Sequence, residues 1–317
     1  MKKLLTTPII VMLTANLFAA FTETENTFDS IGGYDIVGNG SVSELSSGTY
    51  NWIRLSGTLN FDSDASLTLT SETTKLGTTG YYDFVVLNSS GATLNFTGSG
   101  TMSMPTLSTS ANTELGLNSY NGPLTINVAK GAGGLITGKV CGQTKALTLN
   151  LHKENAIVNR EGGAFVLSVV NSAALNMSAD QKLASDFRNG AILNLNITDN
   201  ANLFVDVNRI FSSGISASIK IQDNTLENGA ILFAKDRINS AYDTETGYVV
   251  IQRFTSIQTL KIQDSDGKAL TSLNWSEVTI DGTDYYKLTG MAVPEPAEWA
   301  AIFGAAALVL AFRRKVK

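Results

Sequence analysis

The sequence predicts an all-β protein: a parallel β-helix (a solenoid of stacked strands) with a small antiparallel C-terminal cap, flanked by an N-terminal signal peptide and a single C-terminal apolar helix. Three observations predict it. A short apolar-polar-apolar unit recurs along the chain, each time followed by five polar or small residues and another apolar position. Between residues 21 and 292 only two prolines occur, Pro105 and Pro123, so long hydrogen-bonded ladders are permitted. The two sustained greasy segments lie at the extremes of the chain, not in its interior.

Composition narrows the function classes. The 317 residues are 43% hydrophobic and 16% charged, against roughly 25% charge in an average soluble domain. A charge-rich disordered chain, a coiled coil and a nucleic-acid binder driven by basic charge are therefore excluded. One Cys and one His exclude a disulfide framework, a zinc cluster and most His-dependent catalysis, and no cofactor is implied.

Residues 1–20 read as a secretory signal peptide. Lys2 and Lys3 supply the positive start, residues 4–18 are mostly apolar, and Ala19 and Ala20 are small enough for cleavage, although residue 17 or 18 at the −3 position fits poorly. An acidic, polar stretch follows at residues 22–26.

Residues 21–240 read as the β-solenoid body. Leu59-Asn60-Phe61 leads to Leu67-Thr68-Leu69, Leu94-Asn95-Phe96 to Met102-Ser103-Met104, and Leu195-Asn196-Ile197 to Leu203-Phe204-Val205, each across five polar or small residues. Leu149-Asn150-Leu151 reaches Ile157 and Leu175-Asn176-Met177 reaches Leu183 with the same gap, whereas Ile126-Asn127-Val128 needs six residues to reach Leu135. Period-two alternation puts Leu, Ile, Phe and Met on one face and Asn or Thr on the other. The connectors are rich in turn formers and too short for helices. The Leu-Asn and Ile-Asn units start at 59, 94, 126, 149, 175 and 195, in steps of 35, 32, 23, 26 and 20. The shorter steps suit one coil of a parallel β-helix, and the longer ones a coil with a loop insertion. From residue 84 to 129 the only charge is Glu114, and a surface of Thr, Ser and Asn suits stacked strands in which identical amides form ladders. The alternative is a β-sandwich, since five-residue loops also close hairpins.

Residues 241–290 change texture. Tyr248-Val249-Val250-Ile251-Gln252, Thr259-Leu260-Lys261-Ile262-Gln263 and Tyr285-Tyr286-Lys287-Leu288 read as strands, with Asp-Gly turns at 264–267 and 281–284. This is the expected antiparallel cap, covering an edge that would otherwise be sticky.

Residues 293–317 are the most specific part of the chain. Val293-Pro294-Glu295-Pro296 precedes an uncharged run at residues 299–312 that opens with Trp299, and Arg313-Arg314-Lys315-Val316-Lys317 ends the chain. Fourteen helical residues span about 21 Å, short of the ~30 Å hydrocarbon core, a deficit that snorkelling Arg and Lys stems reduce. The basic cluster stays cytoplasmic and orients the body outward. Pro294 and Pro296 keep the preceding chain extended and open to a processing enzyme.

This order of Pro-Glu-Pro, short apolar helix and basic end resembles a PEP-CTERM sorting signal. The resemblance is confined to residues 293–317. It implies export in a Gram-negative bacterium that makes extracellular polysaccharide, with an exosortase, a membrane-embedded cysteine protease or transpeptidase, as partner. Pro294, Glu295 and Pro296 would be the recognition motif, and Arg313, Arg314 and Lys315 the membrane stop. Residues 297–312 would enter the inner membrane transiently, and the body would end at the cell surface or outside the cell.

Without both signals, residues 21–292 carry 17 Lys and Arg against 26 Asp and Glu, a net charge of −9, so neither nucleic acid nor anionic lipid is an expected partner. No constellation demands chemistry. His152 reads as a turn residue and Cys141 as a buried small residue with no His partner nearby. Asp264 and Asp266 start a calcium-loop pattern that fails at Lys268. Asp206, Arg209 and Lys220 suggest a glycan-cleaving groove without a spacing that requires one, and Trp275, Tyr285 and Tyr286 suit either sugar stacking or strand packing. The expected function is thus an exported, non-enzymatic structural or adhesive protein of the surface, extracellular matrix or biofilm. The alternatives are an extracellular glycan-binding or glycan-cleaving β-helix protein, with extracellular polysaccharide as partner, and a permanently anchored periplasmic protein.

Overall fold

Alternating apolar residues across short polar corners fold here into strands that pair with the next unit along the chain instead of with their own neighbour. The computed structural model describes residues 22–28, 31–70, 84–86, 91–104, 116–119, 121–142, 144–159, 162–210, 216–222, 225–227, 229–237, 247–253, 256–271 and 273–290. The expected signal peptide and sorting signal lie outside these residues, as do residues 71–83 and 105–115 within the longer early steps.

The described chain is all-β, apart from two single 3-10 turns, and its sheets are mainly parallel. Three ladders account for it. In the first, Ile31–Ser41, Ile53–Phe61, Ala92–Phe96, Leu124–Val128, Leu147–Leu151, Ser172–Met177, Ile192–Ile197, Ser216–Ile221 and Ser256–Asp264 pair successively, all in parallel. The second runs from Ile53 through Phe84–Val86, Gly116–Asn118, Lys139–Gly142, Phe165–Val169, Gln181–Phe187 and Ala201–Ile210 to Gly229–Ala234. The third is short: Thr49–Tyr50, Leu67–Leu69, Thr101–Ser103, Gly134–Ile136 and Ile157–Val158. The hairpins that a β-sandwich would need are absent from the repeating units, because Leu59 pairs in parallel with Leu94 and Leu67 with Met102. The five-residue connectors are corners between ladders.

The register stacks like upon like. Leu59, Leu94, Ile126, Leu149, Leu175, Leu195 and Ile221 form one inward column, all buried. Phe61 lies on Phe96 with ring centroids 4.2 Å apart. Each such side chain contributes about 1.5–3 kcal/mol, which is gained only when neighbouring units are in place.

Two local devices let the units vary. Strand Ile53–Phe61 belongs to both major ladders, and it turns between them at Gly57, whose φ of +126° lies beside Gly38 at +115°. A Cβ on Gly57 would sit 2.0 Å from the Gly38 carbonyl oxygen, so only glycine makes this corner. The second device is Gln181. The third ladder ends at Ile157–Val158, after which units contain two strands instead of three, and the step from Leu175 to Leu195 shortens to 20 residues. At that edge Gln181, fully buried, accepts from the Ala156 amide at 3.1 Å and donates to the carbonyls of Lys153 at 2.6 Å and Ala179 at 3.1 Å. Its side-chain amide stands in for the missing strand.

The ends of the ladders are antiparallel. Thr22–Phe28 folds back on Ile31–Ser41, although its sequence had read only as a polar lead-in. An Asp35–Arg54 pair, two contacts of 2.6 Å, joins the first two rungs, and Asn26 reaches Asp35 at 3.0 Å. At the other end Tyr248–Arg253 runs antiparallel to Ser256–Asp264, while Thr283–Thr289 runs antiparallel to both Gly229–Ala234 and Asn274–Ile280. Within the stretch expected to form only a cap, Ser256–Asp264 extends the first ladder in parallel.

Gln181→Leu keeps the packing volume and orphans the Ala156 N–H and two carbonyls. Urea unfolding should show a loss of about 2–4 kcal/mol, with hydrogen exchange at Ala156 accelerating most. A second test concerns Glu23, which holds the N-terminal strand down by accepting from the Ser46 hydroxyl (2.6 Å), the Ser46 amide (2.8 Å) and the Tyr50 hydroxyl (2.9 Å). Partial burial alone would raise its carboxyl, but these hydrogen bonds outweigh burial and hold it below the ordinary 4.5. A depressed carboxyl stabilises the folded state above its unfolded pKa, and that contribution disappears as pH falls through the folded value. Amide protection of residues 22–28 should therefore persist through neutral pH and drop on acidification below 4.5; Glu23→Gln should flatten that dependence.

Candidate functional site

The first ladder carries a polar outer face of one repeated composition. Period two turns Leu59 and Phe61 and their equivalents inward, and Thr and Asn outward. Because the register is exact from rung to rung, Asn60, Asn95, Asn127, Asn150 and Asn176 form a continuous side-chain ladder. Each amide nitrogen donates to the previous carbonyl oxygen, at 3.0, 2.5, 2.7 and 2.7 Å, and Asn60 ends the chain on the Gly40 carbonyl at 3.0 Å. Beside them Thr58, Thr93, Thr125 and Thr148 form a parallel row. Their hydroxyls make no hydrogen bond to the chain among the described residues. All nine side chains are half-buried, and no charge interrupts either row.

The second ladder carries a different column. Asn118, Cys141, Ser168 and Asp186 occupy matching positions on four successive rungs, and all four are buried. The Ser168 hydroxyl donates to Asp186 at 3.5 Å, and the Lys139 ammonium lies 3.8 Å from the same carboxylate oxygen. A buried carboxylate needs such partners, and their arrangement fixes register between rungs more than it supplies stability. Burial pushes the Cys141 thiol up, against smaller opposing effects of Lys139 and Ser168. A protonated thiol in such surroundings is a poor nucleophile. None of Asn118, Ser168 and Asp186 stood out in the sequence, because their strands lack the Leu-Asn signature.

The other residues suggested by the sequence fall as follows. His152 opens the corner after Leu147–Leu151, exposed, with Nδ1 2.8 Å from the Ser178 hydroxyl; its neighbour Lys153 donates to the Gly133 carbonyl. Asp264 accepts from the Lys268 amide at 2.8 Å within a tight turn, while Asp266 points to solvent. Asp206 and Arg209 lie on the second ladder and Lys220 on the first, between Asn194 and Gln263, so the register does not bring the three together. Trp275 stacks on Tyr286 at 5.0 Å and lies 6.1 Å from Phe233, and Tyr285 meets Phe204 edge-on at 5.4 Å. These aromatics close the end of the second ladder. Pro294, Glu295, Pro296, Arg313, Arg314 and Lys315 lie outside the described residues. Among the described residues no group of His, Cys, Asp and Glu is arranged to hold a metal ion, and no helix is long and apolar enough to cross a membrane.

No protein-family model matches this chain, and no curated protein matches it in sequence.

Cys141 supplies a test of the column. Alkylation by iodoacetamide at pH ~8, below the raised thiol pKa, should be negligible in the native protein. It should appear only across the denaturant range in which the fold is lost.

Proposed function

We propose that this chain is an exported, non-enzymatic structural or adhesive protein of the cell surface or extracellular matrix. Its body would be a parallel β-helix, released from a transient inner-membrane anchor by a processing enzyme that recognises Pro294, Glu295 and Pro296. One observation carries the structural half: the unbroken parallel pairing of the first ladder from Ile31–Ser41 to Ser256–Asp264. Nine strands at ~4.8 Å spacing give a rod about 40 Å long whose faces are set by register. Such a body presents large repetitive surfaces, as a scaffold or adhesin requires. The itinerary rests on residues 1–20 and 293–317 alone, with Arg313, Arg314 and Lys315 as the stop on the cytoplasmic side.

An extracellular glycan-binding role for the same body is favoured by its uncharged Thr and Asn face. Glycan cleavage is less well supported, because Asp186 is buried and Asp206, Arg209 and Lys220 are divided between two ladders.

The intact mass of the mature protein tests the itinerary. The expected chain lacks the N-terminal signal and ends near Pro294, and deletion of the processing enzyme leaves a heavier form that still carries Lys317. Only full-length chains in cells with the enzyme would overturn the proposal. Glu295→Ala should accumulate the same heavier form.

A further inference from the structure

The geometry points to the Thr and Asn face of the first ladder as the binding surface for a neutral, linear polysaccharide lying along the stack. This deepens the glycan-binding reading, on which it rests, by assigning it a surface and a glycan class.

The argument begins with hydrogen-bonding capacity. A primary amide has two N–H donors and a carbonyl oxygen with two lone pairs. The ladder from Asn176 to Asn60 uses one donor and one acceptor of each internal amide, so every rung keeps one N–H and one lone pair. The adjacent threonine adds a hydroxyl, donor and acceptor, with no partner among the described residues. Each of four successive rungs thus offers the same three unused functions at the same place, repeated every ~4.8 Å along the stack.

Preorganisation comes next. Each internal asparagine is held from both sides by its neighbours in the ladder, and β-branched threonine has a stiff χ1. Both rows sit on strands whose opposite faces are buried. Little side-chain entropy remains to be lost on binding, which is where weak polar contacts usually lose their value.

Charge and shape then select the partner. The rows bear no charge, so nothing on them attracts a uronate, sulfate or phosphate, and the net charge of −9 on residues 21–292 opposes an anionic polymer. The rows contain no aromatic platform, so recognition falls to hydrogen bonds along the edge of a chain instead of stacking on ring faces. A neutral glycan offers that edge: hydroxyls that each donate and accept, repeated at about one sugar per rung.

The test uses the full-length chain, purified from membranes in a zwitterionic detergent and co-sedimented with an insoluble uncharged β-glucan or an insoluble polyuronate. Wild type should sediment with the glucan, in low and high salt alike, and not with the polyuronate. Thr93→Val with Thr125→Val removes two hydroxyls at nearly constant shape and should weaken binding about tenfold. Thr93→Lys with Thr125→Lys should abolish it. An unchanged circular-dichroism spectrum and thermal midpoint would show that both variants keep the fold. Undiminished glucan binding by the folded variants overturns the inference, as does a failure of wild type to bind, or a salt-sensitive preference for the polyuronate. A wild-type dimer in sedimentation velocity, broken by the lysine variant and accompanied by no glucan binding, assigns the face to a second copy and also overturns it. The mature mass is a separate readout: a normally trimmed chain that ignores glucan sinks this inference alone, whereas an untrimmed chain that binds glucan sinks only the itinerary.

Discussion

Everything in this fold follows from stacking each unit in register on the one before. No single unit has enough apolar surface to stand alone. Leu59 is fully buried because Leu94 lies against it, Leu94 because Ile126 does, and so on to Ile221. The same register that aligns the inward leucines aligns the outward asparagines, so core and surface are ordered by one constraint. Departures from uniformity occur where a specific residue makes them possible. Gly57 turns a strand from one ladder to another, and Gln181 replaces a strand that the shortened units no longer contain.

Six strands of the first ladder were legible in the sequence because they alternate cleanly: a buried leucine or isoleucine, an amide and another buried residue. That is the signal of a strand with one wet and one dry face. The amide ladder followed from the same pattern. Ile31–Ser41 and Ser216–Ile221 lack that unit, and the strand at 259–263 read as part of the cap. Most of the second ladder was not legible; only Leu183 and Leu203-Phe204-Val205 stood out, as the apolar positions reached from Leu-Asn units. Strands such as Phe165–Val169 and Gln181–Phe187 are buried on both sides over most of their length, so they show no alternation, and Lys139 or Asp186 in them looked like ordinary polar residues. The end strand at Thr22–Phe28 was hidden for the opposite reason. Its Thr and Glu residues suit an edge exposed to water, which sequence alone does not separate from a loop. The aromatic residues Trp275, Tyr285 and Tyr286 were visible as a group, but whether they faced a ligand or one another depended on how the closing hairpin met Phe204 and Phe233.

Two side-chain columns of contrasting chemistry result. One is wet, neutral and periodic, with hydrogen-bonding groups that the chain itself leaves available. The other sequesters a carboxylate, an amide, a hydroxyl and a thiol from water and uses Lys139 to balance the charge. The first has the properties of a surface meant to be met from outside, whereas the second locks neighbouring rungs together. Enclosure of the single cysteine keeps its thiol protonated and shields it from cross-linking.

Parallel strands at this spacing are also the architecture of fibrils, which lengthen indefinitely because every end is a template for the next chain. Here the outermost described strands reverse direction, and the N-terminal one carries Glu25 exposed on its rim, with Glu23 held against Ser46 and Tyr50. An incoming copy would have to match an antiparallel partner and bring its own acidic rim with it. The reversals at the ends of the described stack thus work against end-to-end growth, in which one copy would template the next.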